Sequence, residues 1–281
     1  DLIIAQGPGG QGNQNSSLII PANQTLAFDS AFSFGSSRGY EGVSDIISHN
    51  GFTYVSGAYS GDINLGLGCS ASSQHLEPEY NVDLDYGLPF VAKFDNNGTC
   101  IWISPVTYTG SVGGNMPVTN TEDSHKLSMD SNGNLYLIAM IESMNINSFH
   151  FGNITVQNYQ IQTSFLSKIN TNGSWEWVKD LGTFTQPSIP TICPCTVTVD
   201  ALDDIWATTL DATGSSPFPQ IFLKYDANGQ LLNSTQINQG NVEIHATTSD
   251  ANNNLYFAGE FDGTFSVSIN GTSQSISYES P

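Results

Sequence analysis

The four cysteines, Cys69, Cys100, Cys193 and Cys195, carry the most distinctive chemistry of the chain. An even number of thiols suits a disulfide framework, and three pairings are open. Cys69 and Cys100 belong to the same repeating unit described below, so they are expected to pair. That leaves Cys193 with Cys195, a closer spacing than disulfide geometry favours. A zinc site would need a second Cys pair or a His pair at ligand spacing, and the sequence has neither. Asp95, Asp130, Asp226 and Asp250 each sit in a turn that offers one carboxylate, whereas calcium takes about six to eight oxygens. Asp200, Asp203 and Asp204 are the place where calcium would bind, if anywhere. No other cofactor is expected.

Gly35-Ser-Ser37-Arg-Gly39 has the spacing of a nucleophile elbow, but that device needs a strand-to-helix turn with an acid and a His downstream. Only glycine-rich sequence without helical period follows it. His49, His75, His125, His150 and His245 are scattered and share no repeat position. No catalytic, cofactor-binding or metal residue is assigned, and the chain is expected not to be an enzyme. Lys93, Lys168 and Lys224 do share a repeat position, and they are three of only six basic residues. Each is expected to lie over an aromatic ring or to pair with a turn Asp, in preference to lining a channel. Seven Asn-x-Ser/Thr sites stand at Asn15, Asn23, Asn97, Asn153, Asn172, Asn233 and Asn270. Asn97 and Asn172 fall in equivalent turns, where a glycan would point into solvent.

Composition narrows the partners. Among 281 residues, 6 are Lys or Arg and 26 are Asp or Glu, giving a net charge of −20. Such a chain repels phosphate backbones and anionic membrane surfaces, so no nucleic-acid partner is expected. No apolar run approaches the roughly 20 residues of a membrane span. Polarity comes instead from uncharged groups, with 26 Asn and 27 Gly. The start at Asp1, without Met, reads as that of a mature or trimmed product.

The elements that must position these residues repeat. One motif is a turn followed by an aromatic strand. It occurs at Ser48–Gly57, Asp130–Ala139, Asp200–Ala207 and Asp250–Gly259, with Tyr54, Tyr136, Trp206 and Tyr256 in corresponding places. The other occurs between them at Phe90–Trp102, Phe165–Trp177 and Ile221–Leu232, and reads Phe-x-x-Lys-x-Asp-x-x-Gly with a closing Trp. In its third copy Leu232 stands where Trp is expected. Asn and Gly tolerate the positive φ of tight hairpins, and the β-branched and aromatic flanks favour strands. Two hairpins make a four-stranded unit. The expected fold is all-β: a propeller-like array of four-stranded antiparallel units, about four blades in number.

The alternation of the two motifs over residues 45–260 resembles the SBBP-type β-propeller repeat of secreted bacterial proteins. The resemblance implies a propeller and an extracellular, cell-surface setting, and no particular activity. The fourth unit lacks its Lys-Asp-Gly hairpin and leaves an open edge. An N-terminal arm and Gly-rich linker (residues 1–20) precede the propeller-like domain (residues 21–281). The leading apolar strand either completes the last sheet, in its own chain or in a neighbour's, or is a frayed terminus before a closed domain. The expected function is that of an extracellular structural protein, a subunit of a surface filament joined by strand complementation and glycosylated. It would be a homo-oligomer or homopolymer through its N-terminal segment. The alternatives are a cell-surface module that binds glycans as an adhesin and, less favoured, a propeller-fold lyase.

Overall fold

A computed structural model of the protein describes residues 2–4, 30–32, 41–66, 69–72, 87–110, 125–142, 146–157, 162–184, 195–210, 219–236, 241–262, 264–269 and 272–277. These residues contain no helix. The strands, in chain order, are β1 (Leu2–Ile4), β2 (Ser30–Phe32), β3 (Glu41–His49), β4 (Phe52–Tyr59), β5 (Asp62–Asn64), β6 (Ser70–Ser72), β7 (Leu88–Phe94) and β8 (Cys100–Gly110). Next come β9 (His125–Met129), β10 (Leu135–Glu142), β11 (Ile146–Phe151), β12 (Ile154–Gln157), β13 (Gln162–Ile169) and β14 (Trp175–Phe184). The last are β15 (Thr196–Val199), β16 (Ile205–Leu210), β17 (Gln220–Tyr225), β18 (Leu231–Gln236), β19 (Asn241–Ser249), β20 (Leu255–Asp262), β21 (Thr264–Ile269) and β22 (Thr272–Ser277).

They form a propeller-like array of antiparallel units. The first is β3-β4-β7-β8, extended outward by the hairpin β11-β12. The second is β9-β10-β13-β14 and the third β15-β16-β17-β18. Among the described residues the fourth consists of β19-β20. The opening strands stand side by side in the order β3, β9, β15, β19. Polar groups tie that row together. Leu127 N donates to Asp45 Oδ2 at 2.8 Å, Val199 N to Ser128 Oγ at 2.9 Å, and Ser249 Oγ to Val199 O at 2.9 Å.

The core lies between consecutive sheets. Along β10, Tyr136, Ile138 and Met140 pack with Val197, Ile205 and Leu223 of the third unit. The alternate residues Leu135, Leu137 and Ala139 pack with Tyr54 and Val91 of the first. A strand covered on both faces must be apolar throughout, which is why Leu135–Ile141 is an unbroken hydrophobic run. Burying each large side chain of this kind contributes roughly 1.5–3 kcal/mol. Among the described residues, the core between the third and fourth units consists of Phe222 and Ile244, with Val242 and Leu255 beside them.

Two details depart from the sequence reading. Register pairs Lys93 with Trp102 and Lys168 with Trp177, but Lys224 with Asn233. The polar, exposed Asn233, and not Leu232, therefore takes the Trp position of the third unit. The leading strand β1 pairs in parallel with β2 of its own chain, Leu2 opposite Ser30, and with no other described strand.

Candidate functional site

Six turns share one design, and it explains their acidic residues. Each opens on Asp95, Asp130, Asn170, Asp200, Asp226 or Asp250, whose Oδ1 accepts the backbone N–H groups two and four residues on, at 2.8–3.1 Å. Such side-chain caps are what Asp and Asn bring to tight turns. The bonds to the charged form hold Asp95 below its ordinary carboxylate range, the backbone N–H of Thr99 first among them. For Asp250 the leading cause is the side chain of Asn254. The residue entering the next strand takes the second oxygen: Tyr136 OH reaches Asp130 Oδ2 at 3.0 Å, and Trp206 Nε1 reaches Asp200 Oδ2 at 3.0 Å.

The acids named for calcium are engaged by protein donors. Asp203 accepts Ser131 N and Ser131 Oγ at 2.8 and 2.6 Å. Asp204 and Asp200 receive Lys224 Nζ at 2.7 and 3.7 Å. The three repeat lysines each cover a ring: Lys93 over Phe52 at 4.0 Å, Lys168 over Tyr136 at 5.9 Å and Lys224 over Trp206 at 4.9 Å. Lys168 also pairs with Glu176 at 3.0 Å. These lysines are structural pins.

Cys69 and Cys100 are joined, with Cα atoms 6.0 Å apart. Cys195 is disulfide-bonded as well, while Cys193 lies outside the described residues. Asn97, Asn153, Asn172 and Asn233 are all exposed, and Asn15, Asn23 and Asn270 lie outside the described residues. So do Gly35–Gly39 and His75. His125 is buried where β9 meets β3, with Nδ1 3.5 Å from Ser44 Oγ, and burial depresses its pKa to about 4. His150 stands among hydroxyls, Thr155 Oγ1 at 3.1 Å and Thr109 Oγ1 at 3.2 Å, with no carboxylate among its hydrogen-bond partners. The described residues bring no nucleophile, base and acid together.

What they do assemble is a sheet edge that no other described strand pairs. In the first three units the second strand is paired on its outer side by a third: Tyr54 faces Lys93, Tyr136 faces Lys168 and Trp206 faces Lys224. β20 pairs with β19 and with no other described strand. Its Tyr256 is 53% exposed and Phe257 39%, while the corresponding Tyr54, Val55, Tyr136 and Leu137 are at most 3% exposed. Leu231 and Leu232 of β18 are also about half exposed, at 49% and 51%. Phe257 makes a ring contact with Phe222 at 5.4 Å. Sequence reasoning located the open edge from the missing hairpin motif. The exposure of Leu231 and Leu232 carried no sequence signal, because burial is set by the packing of successive units.

No family model and no curated protein matches the chain. Solved structures similar to it include two of virginiamycin B lyase from Staphylococcus aureus. One is a catalytically inactive variant with quinupristin, at 11% identity and TM-score 0.36, covering 88% of this chain and 73% of that one. The other is the selenomethionine-substituted protein, at 12% identity and TM-score 0.30, covering 85% of each chain. Both are structures of an enzyme, and on that finding the expectation that this chain is no enzyme is corrected and not carried further. A likeness this distant assigns no reaction to the chain.

Proposed function

We propose that the chain is an extracellular structural protein of the SBBP-like propeller type, a subunit of a surface filament joined to its neighbours by strand complementation. The observation that carries this reading is the outer edge of β20, which presents Tyr256 and Phe257 to solvent where the first two units bury their counterparts Tyr54, Val55, Tyr136 and Leu137. An unpaired strand edge with exposed aromatics is a template for a strand from another chain. A single-sided donor and acceptor contact of this kind is heterologous and propagates unless it closes into a ring. The disulfide at Cys69–Cys100 suits an oxidising compartment outside the cell. Exposure of Asn97, Asn153, Asn172 and Asn233 leaves all four open to glycosylation.

Negative-stain microscopy together with size-exclusion chromatography of the purified protein tests the reading. Filaments and elution far ahead of the 30.2 kDa monomer are expected. A single monomeric species at high concentration would overturn it. Peptide mass spectrometry of the protein from its native source is expected to find sugar on at least one of the four exposed sites.

A further inference from the structure

Among the described residues, Asn precedes Gly at Asn50–Gly51, Asn97–Gly98, Asn132–Gly133, Asn172–Gly173 and Asn228–Gly229. Asparagine is a thermolabile residue, and before glycine it is most open to loss of its amide, because no side chain hinders the approach of the next nitrogen to Cγ. The reaction makes demands on the fold. The glycine nitrogen must be free of other bonds, the peptide groups flanking Asn must be able to turn, and water must reach the ring that forms.

The pairs from Asn97 onward all fail these demands in the same way. Gly98, Gly133, Gly173 and Gly229 each donate N–H to the carbonyl three residues back, on Asp95, Asp130, Asn170 and Asp226, at 2.9–3.0 Å. The N–H of the preceding Asn is held too, by Oδ1 of that same acid or amide at 2.8–3.0 Å. These glycines are buried or half-buried, and the indoles of Trp102 and Trp177 lie against Gly173 and Gly229.

Asn50–Gly51 is built otherwise. It is a two-residue turn between β3 and β4, with φ of 49° and 77° and with His49 paired to Phe52. Both turn residues are exposed, and Gly51 N makes no hydrogen bond with another described residue. Asn50 Nδ2 stands 2.8 Å from His49 Nε2. The group that must leave thus already touches a nitrogen able to carry a proton, within the reach of a general acid or base.

We propose that Asn50 is a site of self-modification, at which Gly51 N closes on Asn50 Cγ and His49 hands a proton to the departing amine. The N–Cγ bond forms as Gly51 N gives its proton to water, and His49 Nε2 takes up a proton from the same water. The Cγ–Nδ2 bond then breaks as that proton passes to Nδ2, which leaves as ammonia. A second water opens the cyclic imide at either of its carbonyl carbons and yields aspartate or iso-aspartate. Either product adds one negative charge to the −20 of the chain. The iso-aspartyl form also adds a methylene to the main chain at the tip of the first hairpin, where the pairing of His49 with Phe52 depends on a two-residue turn. The first unit therefore records the age of the molecule, whatever joins one copy to another.

Peptide mass spectrometry of the purified, unglycosylated chain, aged at neutral pH, tests this. Amide loss at Asn50 is expected to run at least several-fold faster than at Asn97, Asn132, Asn172 and Asn228, with iso-aspartate as well as aspartate among the products. In concentrated urea the rates at these sites are expected to draw together, because the fold is what separates them. Equal rates in the folded chain would overturn the proposal. An undiminished lead of Asn50 in urea would place the preference in the local sequence and overturn it as well. His49→Gln keeps a hydrogen-bond acceptor beside Nδ2 but no group that takes up a proton. It is expected to slow the reaction at Asn50 several-fold and to leave the other sites unchanged. A rate at Asn50 equal to that of the native chain would overturn the part given to His49.

Discussion

At the scale of the residue, the turn carboxylates and one buried histidine make the sharpest demands. Asp226 spends Oδ1 on two backbone N–H groups, and Asn170 does the same work with an amide oxygen. Asp226→Asn is therefore expected to leave the chemical denaturation midpoint nearly unchanged. Asp226→Ala should cost about 1–2 kcal/mol, because two donors lose their acceptor. His125 is held neutral by burial, with a folded pKa of about 4 against 6.5 for the free side chain. The unfolded chain binds the proton first, so the stability due to the neutral ring is complete above pH 6.5 and is lost as the pH falls through 4. The loss is about 3 kcal/mol. Melting curves across that window should show the slope for the native chain and a shallower one for His125→Phe.

At the scale of the element, a tryptophan on the fourth strand of one unit caps the turn of the next. Trp102 Nε1 donates to Thr171 O at 3.3 Å, and Trp177 Nε1 to Ala227 O at 3.2 Å. Each ring lies where the Cβ of the turn residue would go: a Cβ on Gly173 would stand 2.7 Å from Trp102, and one on Gly229 3.0 Å from Trp177. Both glycines also hold positive φ, +84° and +76°. Gly173→Ala should accordingly destabilise the protein by more than the roughly 1 kcal/mol of backbone strain alone, with loss of near-ultraviolet dichroism from the displaced indole. Trp177→Ala removes a half-buried ring and should cost about 3 kcal/mol in denaturant titration. Closing a loop of sequence separation 31, the Cys69–Cys100 bond is expected to contribute roughly 3–4 kcal/mol, measured against the Cys69→Ser, Cys100→Ser double variant.

At the scale of the whole molecule, charge opposes the association that the open edge invites. Every copy carries −20, so neighbours repel at low ionic strength. The Debye length shortens from about 30 Å at 0.01 M salt to about 10 Å at 0.1 M. Light scattering should show more polymer at the higher salt concentration, and a polymer yield that falls with added salt would contradict an apolar, strand-based contact.

Much of this was legible in the residues alone. The two alternating motifs determine hairpins because Asn, Asp and Gly supply the turn geometry locally, as the positive φ values of Asn50, Asp203 and Asn253 bear out. The shared position of Lys93, Lys168 and Lys224 likewise announced a cation set over a ring. Local chemistry of that kind is written within a dozen residues. The Asn233 position, nine residues after Lys224 as Trp102 and Trp177 are after Lys93 and Lys168, was already open to counting. The tertiary structure alone decided that β11-β12 extends the preceding unit, and that Tyr256 and Phe257 meet solvent while Tyr54, Val55, Tyr136 and Leu137 are buried. Those outcomes depend on which sheet stands next to which, and burial of a side chain is settled by a neighbour far away in the chain.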